Sequence, residues 1–500
     1  GELIMNSFND VLLAIQDLLA GKVLLIVLVG AGLWFTFQTG FVQVREFGNG
    51  WRRLTGGLFG GKKKGDNGEE GGLSSFQAVT TAIAGQVGTG NIAGVATAIA
   101  AGGPGAIFWM WVSAFLGMAT IFCEAVLAQV YRKEAEDGTY VGGPVYYIKA
   151  AFTGTFGKVL AAIFAILITL ALGLCGNAVQ ANSISDAFHT AFFSNFTAGF
   201  ELMGQHVTWD KLICGILIAA LAWIIFAGGV KRIGSVTEKL VPIMAIFYLL
   251  GGLIIVLVNI KEVPYVFEMI FKGAFTPQGI AGGVFGISVK EAVKLGIARG
   301  LFNNEAGLGS TPNAHAQARV DHPVQQGQLA VVSVFICTMV LTTLTAIVII
   351  ITGMCEPGSV GRDGSGALYQ GVKLTQVAFS TLYGNFGNIF IAIAMFFFAF
   401  STVLGWYFYG ESNVRYLFGK KAVKPYLIVV CIIIIIGSLV QVETVWNLAD
   451  CFNSLMVLPN IVGVLALTGV VKKYYRDYKE NFLPNHPEDV AYKKNKTNKK

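Results

Sequence analysis

The sequence predicts an all-α integral membrane protein of about eleven transmembrane helices. Three observations carry that prediction. Of 500 residues, 54% are hydrophobic and only 13% charged, whereas a soluble domain is nearer a quarter charged. About eleven apolar windows of roughly 20 residues follow one another, each long enough to cross a hydrocarbon layer about 30 Å thick. Lysine and arginine then alternate between the loops that join those windows.

In chain order, residues 1–40 hold a first span near 22–40, and Gly1–Ile4 before Met5 read as an appended leader outside the fold. No cleavable signal is expected, because Arg45, Arg52 and Arg53 follow the first apolar run where a small-residue cleavage site would stand. Residues 41–74 form a basic cytoplasmic loop. Five spans follow near 75–101, 104–130, 157–182, 211–228 and 239–258, and five more near 286–316, 328–352, 376–408, 425–441 and 446–470. Residues 471–500 form a basic cytoplasmic tail, with Lys493–Lys500 expected to be disordered.

One alternate set of loops and the tail carries 27 lysines and arginines, and the other set carries 6. The positive-inside rule therefore places the N-terminus outside and the C-terminus in the cytoplasm, across the cell membrane. Topology and anionic lipid account for the net charge of +7, so no nucleic-acid partner is implied.

Other classes lack their parts. Gly88-x-Gly90 has no preceding strand and the wrong spacing to Gly94 for a dinucleotide loop. The five histidines form no ligand pair, and the seven cysteines form neither a metal-binding spacing nor a disulfide framework. No enzyme is read here, and no filter-like motif of a channel.

The function-bearing segment is Gly85-Gln86-Val87-Gly88-Thr89-Gly90-Asn91-Ile92-Ala93-Gly94, which interrupts an otherwise ordinary apolar helix. Opened backbone at membrane depth is tolerated only where protein encloses it. Shifting the chain by 214 residues lays this segment over Gly300-Leu301-Phe302-Asn303-Asn304-Glu305-Ala306-Gly307-Leu308-Gly309, a second glycine-interrupted span. Five spans separate the two starts, so the copies face opposite ways. The pattern is a 5+5 inverted repeat over 75–258 and 286–470 with one additional N-terminal helix, and paired breaks of this kind point to a transporter binding site.

For an amino acid zwitterion, the ligand class implied by the family resemblance set out below, the two breaks supply complementary groups. The amides of Gly88, Thr89 and Gly90, at the start of a half-helix, are expected to receive a carboxylate. Gln86 and Asn91 orient ligand or ion. At the second break, carbonyls of Gly300, Leu301 and Asn303 are candidates for the ammonium group, with the Asn304 side chain nearby, although Asn303 and Asn304 suit helix caps equally well. Trp406, one turn past Thr402, faces the ligand. Asn177 and Gln180, three apart on one span, reach the substrate or join helices. Glu124, Glu305, Asp186 and Asp450 are carboxylates in or near spans, and a proton-coupled mechanism would need one of them.

Gly85 to Gly94, continued by Ala101-Gly102-Gly103-Pro104-Gly105-Ala106-Ile107-Phe108-Trp109-Met110-Trp111, closely resembles the signature of the alanine/glycine:cation symporter family. Asn303–Gly309 and Gly405-Trp406-Tyr407-Phe408-Tyr409-Gly410-Glu411 look like later blocks of that family. The resemblance implies a leucine-transporter-type fold and sodium-coupled import of a small neutral amino acid, alanine or glycine foremost. Proton coupling, or a larger neutral amino acid such as glutamine, is the alternative. It further implies a sodium site of the Ala84, Val87 and Phe398 carbonyls with the Ser401 and Thr402 hydroxyls, and Asn91 matches the position that contacts a second sodium in that fold.

Overall fold

The structure, a computed structural model, describes residues 23–59, 72–135, 138–202, 205–276, 289–356, 359–439 and 443–489. The Gly1–Ile4 leader, Lys62–Lys64 of the first basic loop and the Lys493–Lys500 tail lie outside the described residues.

Helix α1 spans Leu24–Gln38. The interrupted span is α2, Ser75–Gln86, and α3, Val95–Gly102, joined by a π turn at Gly90–Gly94. Then come α4 (Gly105–Val130), α5 (Gly154–Phe192), α6 (Trp209–Phe226) and α7 (Gly229–Val258). The second set is α8 (Val289–Asn304), α9 (Val324–Ile351), α10 (Asn385–Phe418), α11 (Val423–Leu439) and α12 (Glu443–Ala466). Among the described residues, eight helices are long and apolar enough to cross a membrane. The predicted spans missing from those eight are the N-terminal one and the two that glycine interrupts. The protein is an all-α, multi-pass membrane protein.

Burial separates centre from periphery. The most apolar windows of α4 and α10 are 72% buried within the protein, that of α6 only 28%. Lipid tails are as apolar as leucine, so close approach of small residues substitutes for hydrophobic drive between helices. Gly405 of α10 is such a position. A Cβ there would lie 2.9 Å from the Gly85 nitrogen and 3.0 Å from its Cα, which brings α10 directly against the interrupted span. At the start of α2, Ser74 and Gln77 form a reciprocal capping box, Gln77 N–H to Ser74 Oγ at 3.1 Å and Ser74 N–H to Gln77 Oε1 at 3.2 Å.

Three features differ from expectation. The window at 376–408 contains two elements, a helix at Gly371–Tyr383 and the start of α10, because Gly384 turns the chain at φ +58. The second interruption lies further along than Gly300. Helix α8 runs through Asn304, the Glu305 amide still donates to the Leu301 carbonyl at 2.9 Å, and the break occupies Glu305–Thr311 with positive φ at Glu305, Gly307 and Gly309. The C-terminal region is helical and docked up to Asp489. Tyr478 is fully buried there, and Asp489 accepts from Arg53 at 2.5 Å and from Gln325 at 2.8 Å.

Replacing Gly405 with Ala should force the two backbones apart. Overpacking of this kind costs about 1–3 kcal/mol, and thermal unfolding in detergent should report it as a lowered midpoint.

Candidate functional site

The two interruptions face each other. Gln86 Nε2 donates to the Asn304 carbonyl at 2.8 Å, and a Cβ on Gly90 would meet Asn303 Oδ1 at 2.7 Å. Between them lies a cavity of about 80 Å³. Of the sequence-predicted substrate residues, Gln86, Gly88, Thr89, Gly90, Gln180, Asn303 and Trp406 line it, together with Thr402.

The expected anion-binding amides are partly engaged inside the protein. The Gly88 amide donates to Asn91 Oδ1 at 3.0 Å, and the Thr89 amide to Gln180 Oε1 at 3.3 Å, while Gln180 Nε2 donates to Thr89 Oγ1 at 3.2 Å. The Gln180 carboxamide thus places its oxygen on Thr89 much as a carboxylate oxygen would sit.

Five predicted residues do not line the cavity, Leu301 among them, its carbonyl still accepting from the Glu305 amide within the helix. Asn91 bridges the first break to α9, donating to the Cys337 carbonyl at 3.0 Å and to Thr342 Oγ1 at 3.1 Å. Asn177 donates to the Gly173 carbonyl of its own helix at 3.0 Å. Asn304 caps the second break, its Oδ1 accepting from the Ala306 amide at 3.0 Å. Gly300 lies within an intact helix and not at an opened backbone. A Cβ on it would meet Ser113 Oγ at 2.1 Å, so this glycine serves the crossing of α8 with α4.

The predicted ion ligands converge. Thr402 Oγ1 lies 2.9 Å from the Ala84 carbonyl, 3.2 Å from that of Val87 and 3.1 Å from that of Phe398. Ser401 Oγ lies 3.4 Å from Ala84 and Val87 and 2.8 Å from Phe398. The break in the first span frees the Val87 carbonyl, and the i−4 and i−3 geometry of α10 turns both hydroxyls toward Phe398. Three carbonyls and two hydroxyls, all fully buried, form a hard-oxygen cluster of the kind an alkali cation takes. Among the described residues no group of three or more His, Cys, Asp or Glu is arranged to hold a metal.

Sequence reasoning missed Arg299, Phe302, Trp446, Asp450 and Asn453 as cavity walls. Arg299 and Asp450 pair at 3.5 Å, and opposite charges in apolar spans were a usable signal. Trp446 and Asn453 carry none, since the last span touches the cavity only through tertiary packing. The π turns at Gly90–Gly94, Thr169–Gly176 and Phe335–Thr342 were also unforeseen. All three border this region, where such bulges are common.

Two facing interruptions around a small cavity, in a polytopic helical bundle, define a secondary transporter of the leucine-transporter type. The fold is shared with a crystal structure of MhsT in complex with L-phenylalanine, at TM-score 0.53 and 14% identity over 82% of this chain and 98% of that one. The family model described as the sodium:alanine symporter family matches residues 5–491. The amino-acid carrier protein AlsT of Bacillus subtilis is 40% identical, over 95% of this chain and 93% of its own. The sodium/alanine symporter AgcS of Methanococcus maripaludis is 38% identical, over 96% and 100%. The chain belongs to the sodium:alanine symporter family, and is an amino acid:cation symporter.

Trp406 walls the cavity opposite Gly176, where a Cβ would lie 2.5 Å from the indole ring. Replacing Trp406 with Leu should admit bulkier neutral amino acids. Competition of such compounds against labelled alanine uptake measures this, and an unaltered order of competitors removes Trp406 from the pocket.

Proposed function

We propose that the protein imports small neutral amino acids, alanine or glycine foremost, coupled to sodium and by alternating access across the cell membrane. The observation that carries this reading is the cluster of five buried oxygens from Ala84, Val87, Phe398, Ser401 and Thr402. It joins the first break to α10, so an ion held there ties the two elements together. The same break supplies the substrate cavity immediately beyond, through Gly88, Thr89 and Gly90. One interruption then serves ion and substrate, which is a physical basis for coupling.

The zwitterion is accommodated as follows. Its carboxylate replaces the Gln180 oxygen at the Thr89 amide, at the positive end of the half-helix that leads into α3. Its ammonium group turns to Gln86 Oε1 and Asn303 Oδ1. Both are buried acceptors in the cavity wall without a hydrogen-bond donor among the described residues, and a buried unsatisfied acceptor is costly until a donor arrives. Phe302, Trp406 and Trp446 leave room for a short side chain. Gly300 and Asn177 are not carried into this site, and Asn91 and Asn304 act by holding the two breaks in shape.

The basic loops place the N-terminus outside and the C-terminus inside, with α1 and the two interrupted spans completing eleven crossings. In that orientation the Arg299–Asp450 pair lies toward the outer end of the cavity.

Replacing Thr402 with Ala should raise the half-saturating sodium concentration for alanine uptake by about tenfold, equivalent to about 1.4 kcal/mol, and Ser at this position should restore most of it. Uptake into proteoliposomes with sodium, lithium and proton gradients imposed separately measures both points. An unchanged sodium dependence in Thr402→Ala discards this ion site, and uptake driven by a proton gradient alone favours a carboxylate such as Glu305 as the coupling group.

A further inference from the structure

Glu305 opens the second break with φ +58, one of two non-glycine residues with positive φ among the described residues. Its carboxylate is buried to 1% exposure. Oε1 accepts from the Trp406 indole N–H at 2.5 Å, and Oε2 accepts from Ser310 Oγ at 2.7 Å. Both partners are neutral. No lysine, arginine or histidine pairs with it among the described residues, and Arg299, in α8 just before the break, is engaged with Asp450. A carboxylate taken out of water normally finds a cationic partner or a metal.

Besides Asp450, which Arg299 pairs, Glu124 is a further buried carboxylate of this region. It is bonded to Asn460 Nδ2 at 2.5 Å and to the Gly307 amide at 3.1 Å, and neither residue lines the cavity. Glu305 differs, because its indole partner is a cavity wall.

We propose that Glu305 is a positioning residue and counter-charge for the cargo: it pins Trp406 against the cavity and presents a fixed negative charge that sodium, bound with the amino acid, offsets. The inference rests on the sodium and amino acid reading given above. A zwitterion alone adds no net charge to the site and brings a second carboxylate into it, whereas sodium supplies the positive charge that the protein does not. The anion at Glu305 therefore favours joint occupancy over the amino acid alone, and by linkage each ligand raises the affinity of the other. The bond to Trp406 gives the same residue a second effect, on the shape of the cavity wall, which substitution of the indole N–H isolates.

Substitutions separate charge from hydrogen bond. Glu305→Gln removes the charge and keeps an acceptor for the indole. Glu305→Ala removes both, and Trp406→Phe keeps the ring and removes its N–H. In proteoliposomes, Glu305→Gln should raise the half-saturating sodium concentration by about fivefold or more, as expected for a charge lost at partly buried range, while the order of competing amino acids stays that of wild type. Trp406→Phe should loosen that order with sodium half-saturation within about twofold of wild type. Glu305→Ala should do both. Glu305→Asp preserves the charge and should keep the sodium requirement near wild type, which serves if the glutamine variant does not fold. A wild-type sodium requirement in Glu305→Gln overturns the inference, as does a rise in Glu305→Asp equal to that in Glu305→Ala. Wild-type protein whose alanine uptake is indifferent to sodium overturns the sodium reading itself, and this inference with it.

Discussion

A backbone amide or carbonyl in hydrocarbon must find a partner within the protein, and this requirement governs the rest of the structure. The first interruption meets it with a side chain of its own and others borrowed from two helices. Asn91 satisfies the Gly88 amide and anchors to the π-distorted part of α9. Gln180 of α5 satisfies the Thr89 amide. Ser401 and Thr402 of α10 donate to the carbonyls of Ala84 and Val87. The substitutes are uneven, with Thr402 to Ala84 at 2.9 Å but the Thr89 amide to Gln180 at 3.3 Å, and the longer one is the more readily displaced by a ligand. A site for a polar cargo is the natural result of opening a helix where lipid forbids it.

The second interruption is supported differently, by carboxylates. Glu124 accepts from the Gly307 amide, Asn460 links Glu124 to the Gly307 carbonyl, and Tyr147 donates its hydroxyl to Asn460. Glu305 ties the start of the break to Trp406 and Ser310. The two halves of the molecule thus share an architectural idea and differ in chemistry. Side-chain amides and hydroxyls line the first break, while buried carboxylates brace the second. The two breaks are joined directly by the bond from Gln86 to the Asn304 carbonyl.

Much of this was legible in the sequence because lipid imposes one-dimensional rules. Spans, loop charge and the Gly85–Gly94 interruption follow from composition alone, and the convergence of Ala84, Val87, Ser401 and Thr402 follows from the family signature. Gly300 misled because a glycine in a span has two uses, opening the backbone or admitting a neighbouring helix. Only the position of Ser113 decides between them. Arg299, Trp446 and Asn453 reach the cavity from spans whose contact with it is purely tertiary. The basic region after residue 471 was read from charge, yet Val471, Tyr474, Tyr475, Tyr478 and Phe482 recur at helical spacing. That stripe packs Tyr478 fully into the protein.

The cavity's walls come from two kinds of element. Trp406, Thr402 and Gln180 come from long helices, α10 and α5, that pack tightly on each other. Gln86, Gly88, Thr89, Gly90 and Asn303 come from interrupted elements whose halves are joined only by opened backbone. These elements are packed as deeply as α10, with every residue of Ala78–Gln86 buried and α8 held along α4. What sets them apart is the opened backbone itself, about which a half-helix can turn without bending a continuous helix. Bringing α2 away from α10 separates the carbonyls of Ala84 and Val87 from the hydroxyls of Ser401 and Thr402. A displacement that opens the cavity in this way would dismantle the oxygen cluster at the same time.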